Sequence, residues 1–161
     1  MKLKALYHGS PNTAIEVLEP REENPGHRLR GKYVFATQHK ELAAMFLAPK
    51  VAPMQMSKFG EQYVLIAQCT EQDYRKADTG GAVYELPSDT FQQGSTDMPE
   101  IEWFSSEPIR PKHREVYASS LSAMEQCGVK IYFVDDVTYA AIQTAADHGW
   151  DILQSLSSSN S

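Results

Sequence analysis

A mixed α+β sandwich is the fold class this sequence predicts, on three observations. Short apolar segments of strand length recur along the chain, six or so of them. Only two strong helical patterns accompany them. Helices are sparse between the strands, so the right-handed crossovers of a doubly wound parallel sheet are not demanded. With 161 residues, of which 42% are hydrophobic and 22% charged, the chain is long enough for one domain with a sizeable core. That domain is expected over residues 1–154, followed by a disordered serine-rich tail at 155–161.

The elements follow in order. Residues 3–8 read as a strand, ended by a turn at Gly9-Ser10-Pro11-Asn12. Residues 20–31 are charged, carry Pro25, Gly26 and Gly31, and read as a loop. Residues 32–36 form a second strand. Leu42, Ala43, Met45, Phe46 and Leu47 then mark a helix that Thr37 or Gln38 would open and Pro49 would stop. Residues 48–61 read as an irregular connection. The apolar run at 63–67 predicts a strand buried on both faces. Gly80-Gly81 marks a turn into a strand at 82–86, which Pro87 ends. A further strand at 101–105 is entered from a polar loop at 92–100. Pro108 and Pro111 keep the next stretch extended. Residues 115–127 favour a short helix, or a strand leading into one. Residues 129–134 are the last strand, and 136–154 a terminal amphipathic helix.

Charge and cysteine content exclude several classes. The formal net charge of −6 gives no global attraction for nucleic acid or anionic membranes. Two basic clusters, Arg28-Arg30-Lys32 and Arg110-Lys112-Arg114, read first as solvated faces, with a diphosphate or anionic-partner contact as the alternative. Cys69 and Cys127 cannot make a disulfide framework and read as buried free thiols. No run suits a signal peptide or a membrane span. A cytoplasmic monomer, in its own or a host cell and away from membranes, is the expectation.

The chemistry concentrates in a few positions. His8 offers a ring nitrogen, Gly9 a bare backbone and Ser10 a hydroxyl. The plainer readings are a structural hydrogen-bonding histidine and a simple turn. Tyr33 and Phe35 share one side of their strand, because strand side chains alternate. With Phe46 in the next helix they are core rings, or walls that stack on a cationic pyridinium. Glu100 and Glu102 share a face at the opening of the late strand. They are a solvated edge, or carboxylates for an oxocarbenium-like ribose. Other templates fail. His8, His27, His39, His113 and His148 show no helical pairing, and the cysteines no zinc spacing. No Rossmann, Walker or Gly-x-Ser-x-Gly pattern occurs.

Tyr7-His8-Gly9-Ser10, then Gly31-Lys32-Tyr33-Val34-Phe35-Ala36-Thr37, a helix with Phe46 and a glutamate opening a late strand together resemble the ADP-ribosyltransferase superfamily. The similarity is to its His-Tyr-Glu branch, which holds diphtheria-type toxins, poly(ADP-ribose) polymerases and small bacterial relatives such as the rifamycin-modifying enzymes. It covers residues 5–48 well and 99–111 loosely. The resemblance implies a split mixed β-sheet sandwich with flanking helices, and NAD as co-substrate. It implies His8 on a ribose hydroxyl, the Gly9 backbone on the nicotinamide amide, Ser10 beside them, and Glu102 as the catalytic carboxylate. The two nicotinamide-stacking tyrosines of the family fall at Phe35 and Phe46, which keep the stack and lose the phenol. Tyr33 would supply that hydroxyl from a neighbouring register. Glu100 resembles the first residue of the Glu-x-Glu of arginine-modifying transferases. The implied activity is mono-ADP-ribosyl transfer from NAD to a protein, nucleic-acid or small-molecule acceptor. The alternatives are a non-catalytic NAD or ADP-ribose binding module, an RNA 2′-phosphotransferase, which the acidic charge disfavours, and an interaction protein whose rings are only core.

Overall fold

A computed structural model describes residues 5–22, 31–93 and 101–156. The expectations for Arg28, Arg30, His27, Glu100, most of the loops at 20–31 and 92–100, and the tail beyond Leu156 lie outside the described residues. The fold is mixed α+β, with several antiparallel strand pairs and short helices. The chain divides into two compact units, Met1–Leu47 with Gly81–Tyr117, and Ala48–Gly80 with Ala118–Ser161.

The first unit holds two antiparallel sheets. One has the order β1-β6-β9, from Leu6–Ser10, Gly81–Leu86 and His113–Tyr117. The other has the order β2-β3-β8-β7, from Arg21–Glu22, Lys32–Ala36, Trp103–Ser105 and Gln92–Gln93. Backbone bonds in both directions between Tyr7 and Thr37 join them. Alternation then decides what each face does. Leu6, Tyr84 and Leu86 from one sheet meet Val34 and Ala36 from the other, with Leu18, Phe91 and Ile109, in a single buried cluster. Tyr33 and Phe35 point the other way. Helix α1, Lys40–Met45, lies against β1, and its Leu42, Ala43, Ala44 and Met45 are buried.

The second unit is built on the order β10-β5-β4, from Lys130–Phe133, Gln62–Ala67 and Met54–Phe59. β10 pairs with β5 in parallel and β4 with β5 antiparallel. Val64 through Ala67 are all buried, as their unbroken apolar run predicts. Val64 and Ile66 join Tyr139, Ile142 and Leu153 in one cluster. On the opposite side Phe133 meets Tyr74 edge-on at 5.3 Å. The helices are α2 (Glu71–Ala77), α3 (Ser120–Gln126), α4 (Asp136–Thr144) and α5 (Trp150–Gln154).

Several expectations are corrected. Gly9 and Ser10 lie inside β1, because antiparallel pairing with Val83 and Ala82 carries the strand past the expected turn. The stretch 48–61 contains β4, whose backbone is held by β5 although its side chains show little apolar pattern. The expected helix at 136–154 is two helices. His148 and Gly149, with φ of 58° and 89°, break it, and Asp147 accepts from the Gly149 and Asp151 N–H groups. Neither Thr37 nor Gln38 opens α1. His39 is its N-cap, and Thr37 Oγ1 instead accepts from the His39 N–H. Residues 115–127 resolve into the end of β9 followed by α3.

Candidate functional site

Six of the seven expected site residues sit on β1, β3 and the end of α1, all in the first unit. His8 is half-buried in the middle of β1. Its Nδ1–H donates to the Phe35 carbonyl at 2.7 Å. A carbonyl oxygen can only accept, so this bond assigns the Nδ1 proton and fixes the ring between β1 and β3. The histidine is therefore a strand-to-strand tie as well as a candidate ligand contact.

Gly9 has a clear packing role. A Cβ built there would lie 2.0 Å from the Ala43 carbonyl oxygen and 3.5 Å from the Phe46 Cβ. No side chain fits, so the glycine is what lets α1 settle on β1. Ser10 is also engaged: its Oγ accepts from the Asn12 N–H at 3.1 Å, closing a local turn.

Tyr33 and Phe35 stand edge-to-face, with centroids 6.1 Å apart. A third ring, Phe104, meets Tyr33 at 5.3 Å in the same manner. Phe35 and Phe104 are register partners in the β3–β8 pair, so the three rings line one face of that pair. Phe104 escaped the sequence reading because only the cross-strand register reveals it. Phe46 lies just past the last residue of α1 rather than within the helix. It caps the short α1 and is 52% exposed.

Glu102 immediately precedes β8. It is half-buried, and its Oε1 is shielded from solvent. Two positions before Phe104, it falls by alternation on the face of Phe35 and Tyr33, while Trp103 turns to the core cluster. Thus His8, the aromatic strand β3 and Glu102 lie on or beside neighbouring strands, although by the same alternation His8 is on the side of Leu6 and Tyr84, towards the core cluster, and not on that of Phe35 and Glu102.

Comparison with family models, curated proteins and solved structures yields no match. The site is thus read from its own residues.

Other features of the first unit bear on it. A cleft of about 530 Å³ lies elsewhere, between Val17, Pro87, Thr90, Ile109 and Arg110 among others, and none of the expected site residues lines it. The buried Tyr84, register partner of His8, donates to the Asn12 carbonyl at 2.6 Å and accepts from the Ile15 N–H at 3.0 Å. It holds down the loop that leaves β1. Lys40 meets Glu115 at 2.6 Å, and the Tyr117 hydroxyl donates to the same carboxylate at 2.7 Å. Those two bonds hold the Glu115 carboxyl below its usual range, the lysine bond more strongly.

Among the described residues no group of His, Cys, Asp and Glu could hold a metal ion. No described helix is long and apolar enough to cross a membrane. Cys69 and Cys127 form no disulfide among the described residues and are half-buried rather than fully buried. Burial, with Asp73 nearby, pushes the Cys69 thiol up, away from a reactive thiolate.

Proposed function

We propose that this chain is an NAD-dependent mono-ADP-ribosyltransferase with an ADP-ribosyltransferase-like split sheet, acting in the cytoplasm of its own or a host cell. The observation that carries the reading is the adjacency of three segments distant in sequence. His8 of β1 is bonded to Phe35 of β3, and β3 pairs with the strand that Glu102 enters. The resemblance to the ADP-ribosyltransferase superfamily rests on the same order of histidine, aromatic strand and glutamate.

On this reading NAD is a substrate. The aromatic face and Phe46 take the nicotinamide ring by stacking and cation–π attraction. His8 and the Gly9 backbone hold the ribose and the amide, and Tyr33 supplies the phenol that positions 35 and 46 lack. The bond from ribose C1′ to the pyridinium nitrogen breaks, and its electron pair leaves with neutral nicotinamide. Glu102 stabilises the oxocarbenium-like sugar. An acceptor nucleophile then bonds to C1′ and gives up its proton. The test is incubation with isotopically labelled NAD and lysate, wild type beside Glu102→Gln. Mass spectrometry would follow nicotinamide and labelled acceptor. Both products are expected from the wild type. Their absence would overturn the enzyme reading.

A non-catalytic NAD or ADP-ribose binding module is the second reading. The phenylalanines at positions 35 and 46 favour it, since they keep rings for binding without a phenol. It predicts that NAD raises the melting temperature while no nicotinamide is released.

A further inference from the structure

We propose that Gln38 is a positioning residue for Glu102 and acts through Trp103; this rests on the transferase reading above. Trp103 is the first residue of β8, and its ring rests against the core cluster of the first unit. Its indole Nε1–H donates to the Gln38 Oε1. Gln38 is exposed and lies two positions beyond Ala36, the register partner of Trp103. The Gln38–Trp103 bond therefore continues the β3–β8 connection past its last paired residues, at the point where Glu102 enters.

Trp103 is itself paired, with Ala36 on one side and Gln93 on the other, whereas Glu102 lies one position beyond those pairs and takes its direction from Trp103. The core grips the apolar body of the indole, and Gln38 grips its polar edge. With its backbone paired and both ends of its ring held, Trp103 is a fixed anchor for the residue before it. The residue before it must then present its carboxylate to the opposite face, where Phe35 and Tyr33 stand. Support of this kind matters because a reacting carboxylate has to be held to within roughly 0.5 Å.

Gln38 touches none of the proposed NAD contacts, so its loss should act on kcat and leave KM for NAD alone. Gln38→Leu keeps the bulk and removes the acceptor. Misplacement of up to 1 Å can cost about 100-fold, and partial loosening here is expected to lower kcat for nicotinamide release by roughly 5- to 10-fold. Gln38→Glu keeps an acceptor for the indole and should stay within about twofold of wild type on the same reasoning. A merely structural role would lower the melting temperature without that split. If the wild type turns over NAD and Gln38→Leu matches its kcat, or if both variants fall equally, the positioning role is overturned and the transferase reading stands. If the wild type releases no nicotinamide, the reading and this role fall together.

Discussion

The two units settle their polar groups and helix ends differently. In the second unit α2, α3 and α4 each begin on a side-chain cap, from Thr70, Ser119 and Asp135. Asp78 accepts from the N–H groups of Gly80, Ser120 and Leu121 and from the Ser120 hydroxyl. Tyr74 adds a 2.6 Å bond to that hydroxyl, and burial pushes its phenol well above the ordinary range. In the first unit α1 begins on His39 with no side-chain cap, is only six residues long and ends on an exposed Phe46. Its neighbour strand has a glycine because nothing else fits. Local capping rules account for α2, α3 and α4 of the second unit but not for its α5, which starts at Gly149 with no side-chain cap, nor for α1 of the first.

That contrast can be broken from either side. The largest stability effect is expected at Gly9. Gly9→Ala places a methyl group against the Ala43 carbonyl and forces α1 off β1, at a cost of about 3 kcal/mol, read as a lower midpoint in urea. If the variant is as stable as wild type, the glycine is there for a ligand rather than for the helix. Asp78→Ala should cost about 2 kcal/mol, since charge-assisted bonds and their backbone donors are lost together. An unchanged denaturation midpoint would show that the second unit does not depend on that carboxylate.

The smallest effect is the Lys40–Glu115 pair, whose side chains are 33% and 42% exposed. Solvent screening limits it to about 0.5 kcal/mol. Because the folded Glu115 carboxyl is held below its ordinary range, its contribution is present above that range and is lost as pH falls through the folded value. Wild type and Lys40→Ala should therefore differ slightly at neutral pH and converge only once the pH has fallen below the ordinary carboxylate range and through the lowered folded value. A gap that persists in acid would assign the effect to the lysine stem instead.

The sequence made some of this legible and hid the rest for physical reasons. The strands at β3, β5, β6 and β10 are apolar runs whose burial is written in their composition. β4 is a partly exposed strand held through its backbone, so Met54, Gln55, Met56 and Ser57 show no clear period. α2 buries only Tyr74 and has no apolar stripe. Its signal was Thr70 three positions before Asp73, whose N–H it accepts. At the candidate site, alternation put Tyr33 and Phe35 on one face correctly. Phe104, Tyr84 and Gln38 enter only through cross-strand register and long-range hydrogen bonds, which no local pattern encodes. His8 and Gly9 were singled out for ligand chemistry, and each also has a structural task.

The central claim is the proposal that the region of β1, β3 and β8 that carries His8, Phe35 and Glu102 is a reaction site for NAD. The most direct measurement is nicotinamide release by the purified protein at saturating NAD, wild type against Glu102→Gln, with melting temperatures taken alongside. Turnover by the wild type and a loss of about 10²–10³-fold in the variant, with both proteins equally folded, is the predicted result. Equal rates in the two proteins, or no release by either, would contradict it.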